Sequence, residues 1–432
     1  MIASWSSRRT SSDRLETEID LNSLKLNTEY TLTHGAFWMI YGITGSFASV
    51  FMLAKGYNNM HIGIMFAAAN LLALGLQPFV ADHMDRAKGI KIIDAMVWMI
   101  LLIMLTGVGY FVFGNGSFLL AAAIAAVLAI HSLIQPLLNS LAFRLSESGT
   151  DVNYAIGRAG GSLGYSIIVA VLGTLIEKKG EISVPVCMEA ACALLIVMLF
   201  ITRYSFKKMK RANDIEIAEH NGKAPDETDP DDERIDLKAF IRRNKYFFIM
   251  NLGLSGLLFS NAIISNYMPQ IAAGVGGTTE QAGKVLSLMA FLEIPTMFFF
   301  VRIQKHFSSR TLIKISSLGF TGKIVVCWLA GSVKLLFAAQ AFQVAAFALL
   351  MPAMVYYVNE IMSPGEAVKG QSLFTMMFTF SAIIASLAGG WILDASGAKV
   401  LTFVAALVTA AGAVVVFLTI NKVEDHRRLP QE

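Results

Sequence analysis

Charged residues are scarce in this chain of 432 residues: Asp, Glu, Lys and Arg together make up 15% of it, against 55% hydrophobic residues. A soluble domain carries about 25% charged residues. A soluble protein of this length has too little interior to bury so much apolar surface, so the composition predicts an integral membrane protein. The apolar stretches are long and continuous rather than short and alternating, which excludes a β-barrel.

Cysteines and catalytic motifs are scarce too. The three cysteines, Cys187, Cys192 and Cys327, lie inside apolar stretches, which excludes an extracellular disulfide framework. The sequence contains no Gly-Lys-Ser/Thr phosphate loop and no His/Glu metal pair, so we expect no enzyme, no ATP drive, no metal and no cofactor. The net charge of +4 does not indicate nucleic-acid binding. The polar first 33 residues hold no signal-peptide core, so we expect the first apolar span to remain in the mature protein.

Apolar stretches of transmembrane length recur along the rest of the chain. A helix that crosses the bilayer needs roughly 20 predominantly apolar residues. The pattern predicts an all-α membrane protein with twelve transmembrane helices in two six-helix bundles. The predicted spans are 34–54, 60–81, 91–113, 117–143, 153–176, 184–204, 246–272, 280–303, 311–332, 334–361, 367–392 and 398–420.

One long hydrophilic stretch separates the sixth span from the seventh. Its charged ends and acidic middle are typical of a solvated linker, with a short amphipathic helix near Leu237–Ile241. Six spans, a linker and six more spans form the arrangement of a two-lobed secondary transporter, whose solute binds near the midplane between the lobes. The predicted domains are a tail (1–33), an N-terminal bundle (34–204), the linker (205–245), a C-terminal bundle (246–421) and a second tail (422–432).

Basic residues are distributed unequally between the two sides of the predicted bundle. Of the 35 Lys and Arg residues, six fall on the side opposite to the N-terminus and one, Lys323, falls within a span. Because Lys and Arg are enriched in cytoplasmic loops, we expect both termini and the linker to be cytoplasmic. The expected location is the cell membrane, with the chain embedded in lipid as a functional monomer.

Three ionisable residues lie inside predicted spans: Arg158, Glu293 and Lys323. A charge at the centre of a transmembrane helix costs roughly 2.5–3.5 kcal/mol or more, so these residues are functional candidates. Ser162 and Tyr165 follow Arg158 on the same helix face. A guanidinium, a hydroxyl and an aromatic ring on one stripe suit a polyol or sugar. The alternative is that Arg158, near the end of its span, extends to the membrane interface.

Glu293 has no charged neighbour in its span before Arg302. A carboxyl group in a medium of low dielectric can carry a proton near neutral pH, so Glu293 is the predicted proton-coupling residue and a substrate contact. Lys323, in the next span, is its predicted partner in both roles. The alternatives are purely structural hydrogen bonds for Glu293 and an interfacial position for Lys323.

Weaker polar signals lie on other spans. His131, Gln135 and Asn139 recur on one helix face. Any single such residue more often bonds a neighbouring helix than a ligand, but together they indicate a polar, uncharged solute. The substrate-binding candidates added by these spans are Trp38, Tyr41, Gln135, Asn139, Asn261 and Gln343.

The layout and the stretch between spans two and three resemble the major facilitator superfamily. Its signature there is Gly-x-x-x-Asp-Arg/Lys-x-Gly-Arg, and the sequence Pro78-Phe-Val-Ala-Asp82-His83-Met-Asp85-Arg86 keeps the Asp and the final Arg. In the superfamily this loop gates the cytoplasmic side through charge pairs. The resemblance implies the major facilitator fold and a cytoplasmic gate at Asp82 and Arg86.

Within the superfamily, the sequence resembles the oligosaccharide:proton symporters of the lactose permease group. The motif Tyr154-x-x-Gly157-Arg158-x-x-Gly161-x-x-Gly164-Tyr165 is similar to the group's Gly-Arg-x-x-x-x-Gly-x-x-Gly-Trp, whose Arg binds sugar hydroxyls and whose Trp stacks on the ring. Leu292-Glu293-Ile-Pro295 resembles the group's span-eight Glu, and Lys323 falls at its span-nine Arg. The resemblance implies proton-coupled import of a sugar or oligosaccharide.

Three residues depart from that group. Asn139, Gln343 and Ala346 stand where it has a span-four Glu, a span-ten His and a proton-carrying Glu. Galactoside specificity is therefore not implied, and Glu293 is left as the coupling carboxyl group. A competing resemblance of Pro136-x-x-Asn139-Ser140-x-Ala-Phe143 to span four of nucleoside:proton symporters implies nucleoside import as the alternative. A multidrug efflux pump is a third hypothesis and a non-transporting sensor a fourth.

Overall fold

The computed structural model describes residues 11–85, 91–146, 152–219 and 237–428, and within these ranges all regular structure is helical. The helices are α1 (Ser11–Tyr41), a π-helical turn (Gly42–Ser46), α2 (Ala48–Ala54), α3 (Asn59–Asp85), α4 (Lys91–Gly107), α5 (Gly109–Val112), α6 (Phe118–Ser146), α7 (Tyr154–Lys179), α8 (Ser183–Glu219), α9 (Leu237–Arg243), α10 (Lys245–Ala273), α11 (Thr279–Phe291), α12 (Glu293–Gln304), α13 (Ser309–Leu329), α14 (Val333–Ala339), a 3₁₀ turn (Gln340–Val344), α15 (Phe347–Ile361) and α16 (Pro364–Arg428).

The predicted all-α fold is confirmed. Among the described residues, 11 helical stretches are long and apolar enough to cross a membrane, and the last of them, Glu366–Val423, holds two crossings. Gly397 has a φ of 78°, a conformation that residues other than glycine rarely adopt, and the chain reverses there. The crossing before Gly397 contacts α10 through Tyr267 and Ser386, and the crossing after it through Gly253 and Gly412.

Two helices extend beyond the spans predicted from hydropathy. Helix α1 begins at Ser11, within the predicted tail, and α8 continues to Glu219, within the predicted linker. The extension of α1 buries Leu26 and Tyr30, which lie one turn apart on the same helix face. Apolar residues at helical spacing therefore continue the helix after the span of membrane hydropathy has ended. Helix α9 lies where the sequence predicts a short helix.

Helices α1 and α7 pack closely because small residues line their contact. Gly164 lies against the backbone of Gly35, so that a Cβ atom on Gly164 would collide with it. The same face of α7 places Gly157 against the ring of Tyr30. Small residues allow such backbone approach between membrane helices. The stripe that resembles a transporter motif therefore also sets the distance between the first and fifth crossings.

The two halves of the chain, before and after the linker, meet from the middle of the bundle to the end opposite to the termini. Ser166 on α7 donates a hydrogen bond to the Ser287 carbonyl oxygen on α11 at 2.9 Å, and Gly173 packs against Thr279 nearer that end. At the other end, the four successive residues 153–156 at the start of α7 are all exposed. The described contacts between the halves therefore lie in the middle of the bundle and at the end opposite to the termini, which is the closed end.

Gly164→Ala should destabilise the folded protein, because the added methyl group meets rigid backbone rather than a flexible side chain. Overpacking of this kind costs about 1–3 kcal/mol. Thermal unfolding of the purified protein in detergent measures the effect. The matched control is Gly75→Ala on α3, where a Cβ atom meets nothing within 4 Å. Equal melting temperatures for the two variants would contradict this account of the α1–α7 contact.

Candidate substrate-binding site

Glu293 lies at the centre of a hydrogen-bonded network that joins the two halves. Its Oε2 accepts from Ser162 Oγ at 3.2 Å, and its Oε1 accepts from Gln343 Nε2 at 2.7 Å. Lys323 Nζ donates to Gln343 Oε1 at 2.5 Å. On the other side, Arg158 Nη1 donates to Ser162 Oγ at 3.2 Å. Five predicted site residues from four crossings therefore form one continuous chain of polar contacts.

The side chain of Gln343 separates Lys323 from Glu293. The sequence predicts a direct pairing of the two ionisable groups, whereas no Lys or Arg nitrogen in the described part of the chain lies within 4.0 Å of the Glu293 carboxylate. An ammonium group only donates and a carboxylate only accepts. The amide of Gln343 satisfies both, with its oxygen towards Lys323 and its nitrogen towards Glu293.

A break in the eighth crossing positions Glu293. Helix α11 ends at Phe291 and α12 begins at Glu293. Pro295 has no backbone N–H, so the carbonyl of Phe291 loses its regular helical donor. Leu292, between the two helices, keeps helical backbone angles, so the interruption is a local weakening of one helix rather than a free helix end. Glu293 therefore lies at a proline-weakened point in the middle of the eighth crossing.

A second break, in the tenth crossing, positions Gln343. Residues Gln340–Val344 form a 3₁₀ turn, and Ala346 has the non-helical angles φ −84° and ψ −107°. Neighbouring helices donate to the carbonyl oxygens at this break: Thr296 Oγ1 donates to Val344 at 3.2 Å, and Ser316 Oγ donates at 2.8 Å to Ala346, whose oxygen also accepts from the backbone N–H of Leu350. Broken helices whose backbone is satisfied by neighbours mark the binding sites of secondary transporters.

Aromatic rings cover the Arg158 side of the network. The guanidinium carbon of Arg158 lies 4.3 Å from the ring centroid of Trp38, in a cation–π contact. Trp38 contacts Tyr41 edge to face at 5.5 Å, and the rings of Tyr41 and Tyr165 lie 6.2 Å apart. The hydroxyl group of Tyr165 bonds Ser46 Oγ at 2.6 Å, within the π-helical turn of the first crossing. Trp38, Tyr41 and Tyr165 therefore belong to the same site.

The other predicted residues are less closely tied to the network. Gln135 and Asn139 on α6 are half-exposed and form no hydrogen bond with another described residue. Their role as substrate contacts stays a prediction. Asn261 Oδ1 on α10 is buried and has no hydrogen-bond partner among the described residues. Arg86 and the side chain of Asp82 lie outside the described residues, so the predicted cytoplasmic gate stays a prediction.

Sequence reasoning missed a contact at the closed end of the bundle. Asp394 on α16 accepts hydrogen bonds from the backbone N–H of Asn59 at 3.1 Å and from that of Met60 at 2.7 Å, and it also binds the Asn59 side chain at 2.8 Å. These donors open α3, so a carboxylate of one half caps a helix of the other. Asp394 and Asn59 lie 335 positions apart in the sequence, and no local pattern connects them.

These features define a class of protein: two helical bundles, broken helices and a polar network between the halves are those of a membrane transporter. The family model of the MFS_1 like family matches residues 30–405, so the chain belongs to that family and is an MFS-type transporter. No curated protein sequence matches the chain.

Solved structures of transporters share the fold. The crystal structure of the nucleoside transporter NupG superposes with a TM-score of 0.70 at 14% identity, covering 92% of this chain and 98% of NupG. A POT family transporter in complex with a thioalcohol-conjugated peptide gives 0.66 at 14% identity, over 92% of this chain and 96% of that one. An inward-facing, unoccupied bacterial homolog of the human lysosomal transporter Spinster gives 0.66 at 12% identity, over 95% and 99%. Identities this low establish the fold alone.

Asp394→Ala should loosen the closed end, because α3 loses a cap that costs about 1 kcal/mol to remove. We expect a cysteine at Ser49, which is buried and bonds Gln270 of the other half, to react roughly fivefold faster with a thiol reagent. The measurement uses a background in which Cys187, Cys192 and Cys327 are replaced.

Glu181→Gln is the matched control for that experiment, since Glu181 pairs with Lys55 at 3.5 Å within one half. An unchanged rate in the Asp394 variant, or an equal rise in both, would refute the cap between the halves.

Proposed function

We propose that this chain is a proton-coupled symporter that imports a sugar or oligosaccharide by alternating access. The observation that carries the proposal is the position of Glu293, whose two carboxylate oxygens accept hydrogen bonds from opposite halves: Ser162 in the N-terminal half and Gln343 in the C-terminal half. A proton taken up at this group acts directly on a contact that must change when the halves move.

The proposed coupling follows from donor and acceptor counting. An ionised Glu293 accepts from both Ser162 and Gln343, whereas a protonated carboxyl group carries a donor on one oxygen. A proton on Oε1 faces the amide nitrogen of Gln343, and an amide flip would turn that nitrogen towards the ammonium group of Lys323. A proton on Oε2 makes the carboxyl group a donor towards Ser162, whose hydroxyl group must then turn its own proton away from Glu293 while it still accepts from Arg158. Either proton position changes the hydrogen bonds between the halves, and in this proposal the change favours a different arrangement of the halves.

The proposed substrate site lies on the Arg158 side of this network. Arg158 offers donors for hydroxyl groups, and Trp38, Tyr41 and Tyr165 offer flat apolar faces for a sugar ring. Half-exposed amides at Gln135 and Asn139 supply further donors and acceptors.

The proposed orientation places both termini in the cytoplasm, as the basic residues predict. The closed end of the bundle then faces outwards, and in this proposal the described conformation is the one that releases an imported solute. The Asp394 cap closes the outer side, and Asp82 and Arg86 would close the inner side in the opposite state. One chain holds the whole network, which supports a functional monomer.

A nucleoside is the second candidate solute. It carries hydroxyl groups and a planar base, and the three aromatic rings beside Arg158 suit such a base. Competition between uridine and a glycoside for uptake into proteoliposomes separates the two candidate solutes. Both are measured under the same driving force, so a difference in uptake reflects the preference of the binding site.

Glu293→Gln should abolish proton-driven accumulation while leaving solute exchange, since a glutamine side chain can form hydrogen bonds but cannot take up or release a proton. Uptake into proteoliposomes under an inward proton gradient should fall to the equilibrium level, and counterflow should persist. The control is Glu189→Gln, which alters a carboxyl group with a buried oxygen on α8, outside the network. Accumulation by the Glu293 variant at the level of the unmodified protein would remove Glu293 from proton coupling.

Gln343→Leu should shift the pH dependence of uptake, because Lys323 and Glu293 lose the group that joins them. Each polar group left unsatisfied costs about 1–3 kcal/mol, so a lower melting temperature should accompany the shift. Gln340→Leu is the matched control, since Gln340 is equally buried but donates within its own crossing, to the Leu336 carbonyl oxygen. A pH profile that moves equally in both variants would show a general packing effect instead.

A further inference from the structure

We infer that the substrate is a sugar acid, a hydroxylated ring that carries a single carboxylate. The inference rests on the proposed function, because it names the substrate class of the same site. It differs from the uncharged solute that the amide and hydroxyl residues predict. Three observations carry it: the charge balance of the network, the donors of the Arg158 guanidinium group that remain for a ligand, and the single excess positive charge that a bound solute would compensate.

The network holds two cations and one anion. Lys323 is 1% exposed and Glu293 is 7% exposed, and the amide of Gln343 joins them. Arg158 adds the second positive charge at the other end of the network, beyond Ser162. A charge inside the membrane is costly unless an opposite charge accompanies it. While Glu293 is ionised, a solute with one negative charge brings the site to neutrality, whereas a neutral sugar leaves the excess cation in place. When Glu293 is protonated, the same solute lowers the excess from two positive charges to one.

Arg158 is the group left to bind that charge. The hydrogen bond described for its guanidinium goes from Nη1 to the neutral hydroxyl of Ser162, and Ser162 stands between it and the Glu293 carboxylate. The ring of Trp38 supports one face of the guanidinium at 4.3 Å, and the side chain is half-exposed. A guanidinium offers five donors in a planar fork that binds a carboxylate through two parallel hydrogen bonds.

The Glu293 carboxylate is the one negative charge of the network, and it is shared between Arg158 and Lys323. His34 also lies near Arg158, with its ring 6.2 Å from that of Tyr154, and Tyr30 bonds His34 at 2.9 Å. Histidine and tyrosine side chains supply no negative charge near neutral pH. One excess cation matches a carboxylate better than a phosphate monoester, which carries about −1.5 to −2 at pH 7.

Charge balance also predicts how uptake responds to voltage. A sugar carboxylate that enters with one proton moves no net charge across the membrane, whereas a neutral sugar with one proton moves one positive charge. A pH gradient should therefore drive uptake of the sugar acid, and a membrane potential of either sign should leave it unchanged.

The test uses the unmodified protein in proteoliposomes with two matched pairs of solutes, D-glucuronate with D-glucose and D-galacturonate with D-galactose. We expect at least one uronate to be accumulated under an inward proton gradient, to be insensitive to a potassium–valinomycin potential, and to bind at least tenfold more tightly than its neutral partner. Binding is read independently from the rise in melting temperature of the purified protein, since a ligand of the folded state stabilises it.

Arg158→Gln should reduce the preference for the uronate at least tenfold and bring its binding close to that of the neutral sugar. Arg203→Gln is the matched control, because Arg203 pairs with Asp94 between α8 and α4, away from the network. We expect this variant to keep the preference.

The outcomes separate the inference from the proposed function. Neutral sugars or uridine taken up under both a pH gradient and a membrane potential, with no uronate binding, would overturn the inference and leave proton symport standing. A tenfold preference for a uronate with no response to the pH gradient would support the inference and refute proton coupling. If the Arg158 variant fails to fold, equal binding of uronate and neutral sugar by the unmodified protein is sufficient to reject the inference.

Discussion

A carboxylate shared between two bundles is the constraint on which the rest of this structure depends. Glu293 accepts one hydrogen bond from Ser162 of the N-terminal half and one from Gln343 of the C-terminal half. A buried carboxylate is tolerable in a membrane only with such donors, and each donor is held in turn by a cation, Arg158 or Lys323. The network is thus the structural link between the two halves in the middle of the bundle.

The backbone around this network is irregular for the same reason. The first, eighth and tenth crossings break at Gly42–Ser46, Leu292 and Gln340–Ala346, and each break lies at or beside a site residue. A broken helix exposes polar backbone that lipid cannot satisfy, so neighbouring side chains must supply the missing partners. Thr296 does so at the tenth crossing, where it donates to the Val344 carbonyl oxygen. The irregular backbone is therefore confined to the interior between the halves.

Much of the site could be predicted from residue type alone, because a charged or hydroxyl-bearing side chain inside an apolar span is costly and so marks a functional candidate. Arg158, Glu293 and Lys323 all belong to one network, and so does Ser162, which helical spacing places beside Arg158. The order of the contacts could not be predicted. Helical periodicity gives the face on which a residue lies but not the neighbour it meets, so the insertion of Gln343 between Lys323 and Glu293 is a tertiary result.

The amino-acid sequence by itself determined that this chain crosses the membrane many times, in two bundles, with three ionisable groups inside, because hydropathy and charge act residue by residue. Only the tertiary structure decided which of these groups touch, where the helices break and which end of the bundle is closed. The Asp394 cap on α3 illustrates the difference, since it joins residues 335 positions apart. Such contacts depend on how whole helices pack across the two halves, and packing at that distance leaves no local signal in the sequence.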